Sequence, residues 1–241
     1  MSGTTPEGAR NQREAARWVR SMFDGIAYRY DLANHLLSVN IDRHWRARTV
    51  RCVTPILHRA DARVLDICCG TADLAIALSR HRAVLASDFS HPMLRIANRK
   101  IERRRAPVAV FEADAMCLPL RDASLDLLTA AFGFRNLANY EAGLAEMRRV
   151  LRPGGAAAIL EFSQPPNRAF AAMYNFYSRR ILPLVGGAVT GARAAYQYLP
   201  DSVRKFPSPE DLAAQMRASG FARVEYELMT GGIVALHLGY R

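Results

Sequence analysis

The sequence predicts an α/β fold in which a mostly parallel sheet carries helices on both faces. Short apolar runs typical of buried strands alternate with helical patterns through the middle of the chain, as in β–α–β units. One of these runs, residues 63–67, leads through a tight turn at Gly70 directly into a helical pattern. The chain has 241 residues, of which half are apolar, and this is enough for one large core.

The predicted elements follow in a regular order. Before the alternation begins, residues 8–24 predict an amphipathic helix and residues 28–48 a second helical region. The alternating part predicts strands at 63–67, 83–87, 108–112, 125–131 and 156–162, and helices at 72–80, 91–103 and 140–151. The sequence Leu151-Arg152-Pro153-Gly154-Gly155 is expected to end a helix and turn into the fifth strand.

The last third of the chain interrupts the alternation and then completes it. Residues 166–199 predict a helical insert after the fifth strand. A helix at 208–219 and strands at 222–229 and 232–240 follow. Ser90 and Ser208 are suited to cap the helices that begin just after them. A turn at Gly231-Gly232 would join the last two strands as an antiparallel hairpin, so we expect seven strands with the last one antiparallel.

Two segments lie outside the alternating core. We predict that residues 1–50 form a helical extension packed on a core domain at 51–241, and that the insert at 166–199 forms a cap. Aromatic and aliphatic residues of the insert recur at helical spacing, interleaved with arginines. They could pack on the sheet as ordinary core. Alternatively, they form an apolar cap that admits a hydrophobic substrate, or a contact with a membrane interface.

Composition limits the classes of protein that fit. The net charge is +11, and a basic surface can attract nucleic acid or an anionic membrane face. Neither a long apolar span nor an apolar secretory segment is recognisable, so we expect a cytoplasmic protein, with at most a peripheral contact at the inner face of the membrane. The cysteines match no zinc pattern and are expected to be reduced, so no metal site is predicted; they are Cys52, Cys68, Cys69 and Cys117.

The turn after the first strand carries the strongest functional signal. Asp66 lies in the strand, Gly70 in the turn and Asp73 at the start of the helix, and Asp88 ends the next strand. An acid in that position is typical of α/β proteins that bind a nucleoside, because it accepts hydrogen bonds from two ribose hydroxyls. The alternative is an ordinary strand and helix, with Asp73 complementing the helix dipole.

The same turn argues against a dinucleotide as the ligand. It contains a single glycine and matches neither G-x-G-x-x-G nor G-K-[S/T], so few backbone N–H groups can approach a pyrophosphate. Asp66 and Asp73 at its two ends favour a cation instead. S-adenosylmethionine has a ribose, a sulfonium and an ammonium group and no phosphate. The sequence therefore predicts a site for this cofactor.

Four segments carry a family resemblance over most of the chain, from about Met22 to Arg241. They are Phe23–Asn34 with Ser38 and Trp45, the turn from Asp66 to Asp73, Phe132-Gly133-Phe134-Arg135-Asn136, and Arg149–Gly155 continuing to Glu161-Phe162-Ser163. On these segments the chain resembles the ubiquinone/menaquinone biosynthesis C-methyltransferases, the UbiE or MenG type that includes demethylmenaquinone methyltransferases. The Pro-Gly-Gly turn is common among methyltransferases, whereas the Phe-Gly-x-Arg-Asn segment is more specific.

The resemblance implies a class I S-adenosylmethionine-dependent methyltransferase with a Rossmann-like fold. The cofactor contacts that it implies are Gly70 and Thr71 in the turn, Asp88 on the ribose, Asp114 and Ala115 beside the adenine, Asp66 at the methionine end, and Tyr30 closing over the cofactor. The implied reaction is methyl transfer to a ring carbon of a polyprenylated hydroquinone in menaquinone or ubiquinone biosynthesis, with demethylmenaquinol as the first candidate.

Chemistry and resemblance together point to two catalytic residues. A ring carbon becomes a better nucleophile when a neighbouring phenol loses its proton, so the site must stabilise a phenolate. Arg135 is permanently charged and is the candidate partner of that phenolate, while Asn136 could hold a second oxygen or a water. The alternative is a structural salt bridge and a helix cap. The base stays open among Asp31, His237 and water.

Several features leave the function less sharply defined. The sequence departs from the usual family residues at Ala33, Asp42, Ala72 and Ala131, where methionine, histidine, glycine and serine are common. A nucleic-acid methyltransferase would carry an Asn/Asp-Pro-Pro-aromatic motif after the fourth strand, and its absence there predicts no nucleic-acid partner. The alternative functions are methylation of another phenolic or lipid substrate and a scaffold that binds no cofactor. The assembly stays open between a homodimer and a complex of quinone-pathway enzymes.

Overall fold

Seven strands form a single sheet in this computed structural model. They are β1 (Val64–Ile67), β2 (Val84–Asp88), β3 (Val108–Glu112), β4 (Leu125–Ala131), β5 (Leu151–Phe162), β6 (Arg223–Met229) and β7 (Val234–Tyr240). Their order across the sheet is β3-β2-β1-β4-β5-β7-β6. Strands β1 to β5 run parallel, and β7 pairs antiparallel with both β5 and β6. The predicted sheet and its final antiparallel hairpin are confirmed.

The structure describes residues 3–4, 6, 8–29, 40–177, 180 and 193–241. Within these ranges lie the helices α1 (Gln12–Ile26), α2 (Ile41–Leu57), α3 (Asp73–Leu78), α4 (His91–Arg104), α5 (Tyr140–Val150), α6 (Arg168–Phe176), α7 (Arg193–Lys205) and α8 (Pro209–Ala218). The predicted site residue Tyr30 and the candidate base Asp31 lie outside the described residues, as do residues 181–192 of the predicted insert.

The second helical region and the fifth strand depart most clearly from the predicted boundaries. Helix α2 ends at Leu57 rather than at residue 48, because the buried Val53 and Ile56 extend its apolar stripe. Strand β5 begins at Leu151, where a turn was expected. Gly154 takes a left-handed backbone conformation (φ +77°), so the Pro-Gly-Gly segment forms an irregularity inside the strand and shifts its register on β4.

The sheet separates two apolar layers because successive strand residues point to opposite faces. Val64 of β1 and Leu127 of β4 contribute to a layer covered by α2, α3 and α4. Leu65 of β1 and Leu128 of β4 contribute to a second layer covered by α5 and α8. This three-layer packing leaves the carboxyl ends of the parallel strands along one edge, where α/β proteins bind their ligands.

Polar caps fix the helices that begin at this edge. The Ser90 hydroxyl accepts a hydrogen bond from the backbone N–H of Met93 at the start of α4, and Asn139 caps α5 in the same way. Ser208 caps α8, so both predicted serine caps are confirmed. No helix in the described part of the chain has both the length and the apolar character needed to cross a membrane.

Candidate active site

A pocket opens where the carboxyl ends of β1 to β4 meet and the strand order reverses between β1 and β4. It encloses about 680 Å³ of empty space, including the part that is open to solvent. Its lining residues are Cys68, Gly70, Asp88, Phe89, Met93, Ala113, Asp114, Ala115, Met116, Phe132, Gly133, Asn136, Leu137 and Ala138, with Ala16 and Phe23 from α1. This volume suits a ligand the size of a nucleoside.

Asp88, the last residue of β2, presents a carboxylate to the pocket. Its Oδ2 accepts the backbone N–H of Gly70 at 2.8 Å, and its Oδ1 accepts that of Ser90 at 2.9 Å. Burial raises the pKa of Asp88 to about 6, while these backbone N–H groups act in the opposite direction. A carboxylate offers about four acceptor positions, and the Phe89 backbone N–H also bonds to Asp88, so at least one position remains for a ligand.

The turn after β1 has an unusual backbone. Cys68 (φ +50°), Gly70 (φ +53°) and Ala72 (φ +68°) all take left-handed conformations, and only Gly70 does so without steric strain. The turn also packs closely on the segment after β4, since a Cβ added at Gly133 would lie 2.3 Å from the Cβ of Cys68. Ala72 therefore stands where the backbone favours the glycine that is usual in the resembling family.

Two of the predicted cofactor residues are buried and are not among the residues lining the pocket. Asp66 is 1% exposed, its Oδ1 accepts the Thr129 hydroxyl at 2.6 Å, and burial raises its pKa to about 7. Thr71 is 2% exposed, and its hydroxyl accepts a hydrogen bond from the ammonium of Lys100 at 2.9 Å. Neither residue lines the pocket, although both adjoin the turn that does.

The segment after β3, which contains the predicted adenine contacts Asp114 and Ala115, forms one wall of the pocket. The Asp114 carboxylate accepts the backbone N–H of Met116 at 2.8 Å, which folds this segment into a tight turn. Ala115 is buried, whereas Asp114 is exposed at the pocket mouth. Together with Phe89, these side chains make a mostly apolar slot with a polar edge, which suits a flat heterocycle.

Arg135 lies in a 3₁₀ turn (Phe134–Asn136) that follows β4. Its guanidinium donates to Glu161 at 2.8 Å, to the Phe132 carbonyl at 2.6 Å and to the Ser202 hydroxyl at 3.3 Å. Arg135 and Glu161 are both almost fully buried. The structural salt bridge considered from the sequence is therefore present, and Arg135 is not among the residues lining the pocket.

Asn136, the next residue, does line the pocket. Its Oδ1 accepts a hydrogen bond from the Tyr198 hydroxyl at 3.0 Å. That hydroxyl is also hydrogen-bonded to Thr4 at 2.7 Å, and the Thr4 backbone N–H donates to the Leu137 carbonyl at 2.8 Å. Residues near the start of the chain and in α7 therefore fix the amide of Asn136.

The charge of Arg135 acts on nearby phenols. Burial raises the pKa of Tyr174 to about 12, and the positive charge of Arg135 acts against that rise. Burial also raises the pKa of Tyr198, where the Thr4 hydrogen bond and then Arg135 act in the opposite direction. Arg135 therefore opposes the effect of burial at both phenols, while its partner Glu161 raises the pKa of Tyr198.

An aromatic cluster supports the segment after β4. Phe132 packs on Phe162 with ring centroids 4.8 Å apart and on Trp45 at 5.8 Å. Arg46 lies over the Phe132 ring at 5.4 Å and forms a buried ion pair with Asp42, the residue that departs from the usual histidine. Phe132 itself has φ +60°, which is unusual for a bulky side chain.

The candidate base His237 lies apart from this pocket. It is on β7, where its Nε2 is 2.8 Å from the carbonyl oxygen of Pro209 at the start of α8. Burial lowers its pKa to about 4, so it is neutral at physiological pH. His237 is a buried sheet residue and does not reach the pocket described above.

Several pocket residues were missed from the sequence. Phe89 and Phe132 directly follow strands at the ligand-binding edge, and that position was a usable signal. Met93 lies in the first turn of α4, where it also packs with Ile26. Ala16 and Phe23 come from α1, and no local pattern indicated that this helix would cover the strand ends.

The sheet order, the pocket at the switch point and the acid at the end of β2 define a class I S-adenosylmethionine-dependent methyltransferase. Among solved structures, a possible histamine N-methyltransferase from Thermotoga maritima superposes with a TM-score of 0.64, covering 91% of this chain and 98% of that one. A Haemonchus contortus phosphoethanolamine N-methyltransferase with bound S-adenosylhomocysteine gives 0.54, covering 76% and 39%. At 20% and 17% identity, these show the fold alone.

The chain belongs to the ubiE/COQ5 methyltransferase family, whose model matches residues 9–241. The demethylmenaquinone methyltransferase of Thermus thermophilus is 49% identical, covering 91% of this chain and all of that protein. The enzyme of the same name from Deinococcus radiodurans is 43% identical, with 95% of each chain covered. The ubiquinone/menaquinone biosynthesis C-methyltransferase UbiE of Idiomarina loihiensis is 40% identical, covering 97% and 93%.

Proposed function

We propose that this enzyme methylates a ring carbon of a polyprenylated hydroquinone, with demethylmenaquinol as the preferred substrate. The relatives with the highest identity quoted above are demethylmenaquinone methyltransferases, whereas the UbiE protein, named for both quinones, is less similar. One structural observation carries the proposal. Asn136, from the segment typical of this family, shares a pocket with Asp88, the candidate ribose acceptor.

The cofactor half of the pocket fits S-adenosylmethionine. The remaining acceptor capacity of the Asp88 carboxylate would take the ribose hydroxyls. Phe89, Ala115 and Met116 would enclose the adenine, with Asp114 at its polar edge. The absence of a side chain at Gly70 leaves room beside the strand end. When bound, S-adenosylmethionine supplies an electrophilic methyl group.

The substrate half of the pocket would stabilise a phenolate. Because the Tyr198 hydroxyl occupies Oδ1 of Asn136, the amide nitrogen is the atom that can donate to a substrate oxygen. Arg135 would act from behind this residue, as a guanidinium whose charge opposes the effect of burial on the pKa of Tyr174. We therefore retain Arg135 and Asn136 as candidate catalytic residues, with Asn136 in contact with the substrate and Arg135 supplying positive charge.

An apolar rim supports delivery of a lipid substrate from a membrane. Tyr28, Met173 and Phe176 are exposed. Beside them, Tyr177 packs against the Ile26–Met93 cluster together with Phe23, which lines the pocket. Exposed arginines at 168 and 180 flank the two α6 side chains. We infer that this rim rests on the anionic inner face of the cytoplasmic membrane, that residues 1–50 are an extension packed on the core, and that the insert at 166–199 acts as the cap.

The test is a methyl-transfer assay with radiolabelled S-adenosylmethionine. Reduced demethylmenaquinone and the reduced ubiquinone precursor are supplied separately in detergent, and the label is measured in the extracted lipid. We expect more label in the lipid from the demethylmenaquinol reaction than in the lipid from the ubiquinone-precursor reaction. Label in the ubiquinone precursor alone would show that this lipid, and not demethylmenaquinol, is the substrate. If neither lipid is labelled while calorimetry shows that the cofactor still binds, the proposed function is wrong.

A further inference from the structure

A buried lysine reaches the turn after β1 from helix α4. Lys100 is 8% exposed, and its ammonium donates to the Thr71 hydroxyl at 2.9 Å and to the Asp73 carboxylate at 2.8 Å. The chain has 33 basic residues, and all of them are arginine except Lys100 and Lys205. A compact ammonium satisfies this enclosed position, where the larger planar guanidinium of arginine would need more room.

The position of Lys100 matters because the turn is conformationally demanding. Its residues 68, 70 and 72 all have positive φ, which surrounding contacts must maintain. Asp88 holds the turn from the β2 side through the Gly70 N–H. Lys100 holds it from the α4 side through the two residues that flank Ala72. The turn is therefore held at the middle of its strained stretch by Asp88 and at its helical end by Lys100.

We propose that Lys100 is a positioning residue for the cofactor: it fixes the turn after β1 in the conformation that binds S-adenosylmethionine, through Thr71 and Asp73. The inference rests on the proposed use of this pocket for S-adenosylmethionine. It also gives Thr71 a role that its burial permits, since its hydroxyl anchors the turn to α4 instead of facing the ligand.

The proposal differs from a purely electrostatic account of Lys100. A positive charge close to the site opposes binding of a cation, so removing it would strengthen the binding of S-adenosylmethionine, which carries a sulfonium. S-adenosylhomocysteine has no sulfonium, so its binding would change less when the charge of Lys100 is removed. Loss of a positioning contact, in contrast, weakens the binding of both ligands by a similar factor.

The experiment measures the Kd of both ligands by calorimetry for the wild-type protein and for Lys100→Met. We expect both Kd values to rise by about tenfold or more, as for the loss of a hydrogen bond to a charged group. The KM for the quinol and kcat at saturating cofactor should change by less than about twofold. Arg99→Met removes the same charge from an exposed position on the same helix and should leave both Kd values unchanged.

A second, smaller substitution tests the same contact in case Lys100→Met does not fold. Thr71→Val removes the hydroxyl and keeps the shape, so it should weaken both ligands, while Thr71→Ser should restore binding. Unchanged Kd values in both Lys100→Met and Thr71→Val would overturn the proposal, as would tighter binding of S-adenosylmethionine alone. A wild-type protein that binds neither ligand would overturn the proposed function and this inference with it.

Discussion

The loops that follow the neighbouring strands β1 and β4 both line the pocket, and different kinds of contact stabilise their conformations. The turn at 68–72 is fixed by groups on the next strand and helix, Asp88 and Lys100, and its backbone is strained. The segment at 132–138 is fixed by groups far along the chain, which include Glu161, residues of α7 and the N-terminal segment. The proposed cofactor side is thus built from residues close in sequence, whereas the proposed substrate side depends on residues distant in sequence.

This difference predicts that changes on the substrate side affect stability as well as catalysis. The largest effect is expected for Arg135→Ala, which leaves Glu161 buried without its partner. Removing one member of such a pair lowers the free energy of unfolding by about 3–5 kcal/mol. Urea unfolding followed by circular dichroism measures this loss. Arg95→Ala, at an exposed arginine of α4, is the matched control and should change stability by less than about 0.5 kcal/mol.

A double variant separates the two roles of Arg135. In Arg135→Met/Glu161→Leu both charges are removed, so much of the lost stability should return. Turnover should stay low, because the positive charge near the phenol is missing. Recovery of turnover together with stability would show that Arg135 has a structural role only.

On the cofactor side, the expected effect is a pH dependence of binding. Burial raises the pKa of Asp88 to about 6, so its carboxylate is ionised above that pH and becomes protonated as the pH falls through it. The affinity for S-adenosylmethionine should therefore fall about tenfold between pH 7.5 and pH 5, as expected for a site that needs the ionised form. The linked effect on stability has the opposite sign: because the pKa is raised, the folded state gains stability as the pH falls from 6 towards 3.8.

Asp66 titrates in an overlapping range, with a pKa of about 7. Asp66→Asn keeps an acceptor for Thr129 and removes this titration. Calorimetry across the pH range on this variant should still show the loss of affinity near pH 6. If the pH dependence disappears in Asp66→Asn, Asp66 rather than Asp88 controls cofactor binding.

A smaller effect is expected for Tyr198→Phe, on the substrate side. The change removes the hydroxyl that orients the Asn136 amide and keeps the ring that packs 5.1 Å from Trp18. We expect kcat to fall about five- to tenfold, as for a lost hydrogen bond, with the Kd of S-adenosylmethionine unchanged. Tyr28→Phe removes an exposed hydroxyl and serves as the control. A normal kcat in Tyr198→Phe would remove the orienting role.

The same comparison shows what could be predicted from the sequence. The sheet, its order of elements and the Asp88 site followed from local patterns, because strand periodicity and the turn after β1 involve residues close in sequence. The partners of Arg135 and Asn136 did not follow, since Glu161, Ser202 and Tyr198 meet them only through tertiary packing. The prediction of Thr71 as a ligand contact remains untested, and its burial against Lys100 could not be inferred from spacing.

The smallest expected effect is a gain in stability when the strain in the turn after β1 is relieved by a substitution at Ala72. Ala72 has φ +68° and ψ +29°, a conformation that costs a non-glycine residue about 1–2 kcal/mol. Ala72→Gly should therefore raise the free energy of unfolding by about 1 kcal/mol, because the lost strain exceeds the entropy cost of glycine. Ala75→Gly, within α3 and equally buried, should lower it by a similar amount. Thermal unfolding of the two variants measures whether each change raises or lowers stability. If Ala72→Gly is destabilised, the packing of the Ala72 methyl group in the core contributes more stability than its backbone conformation costs.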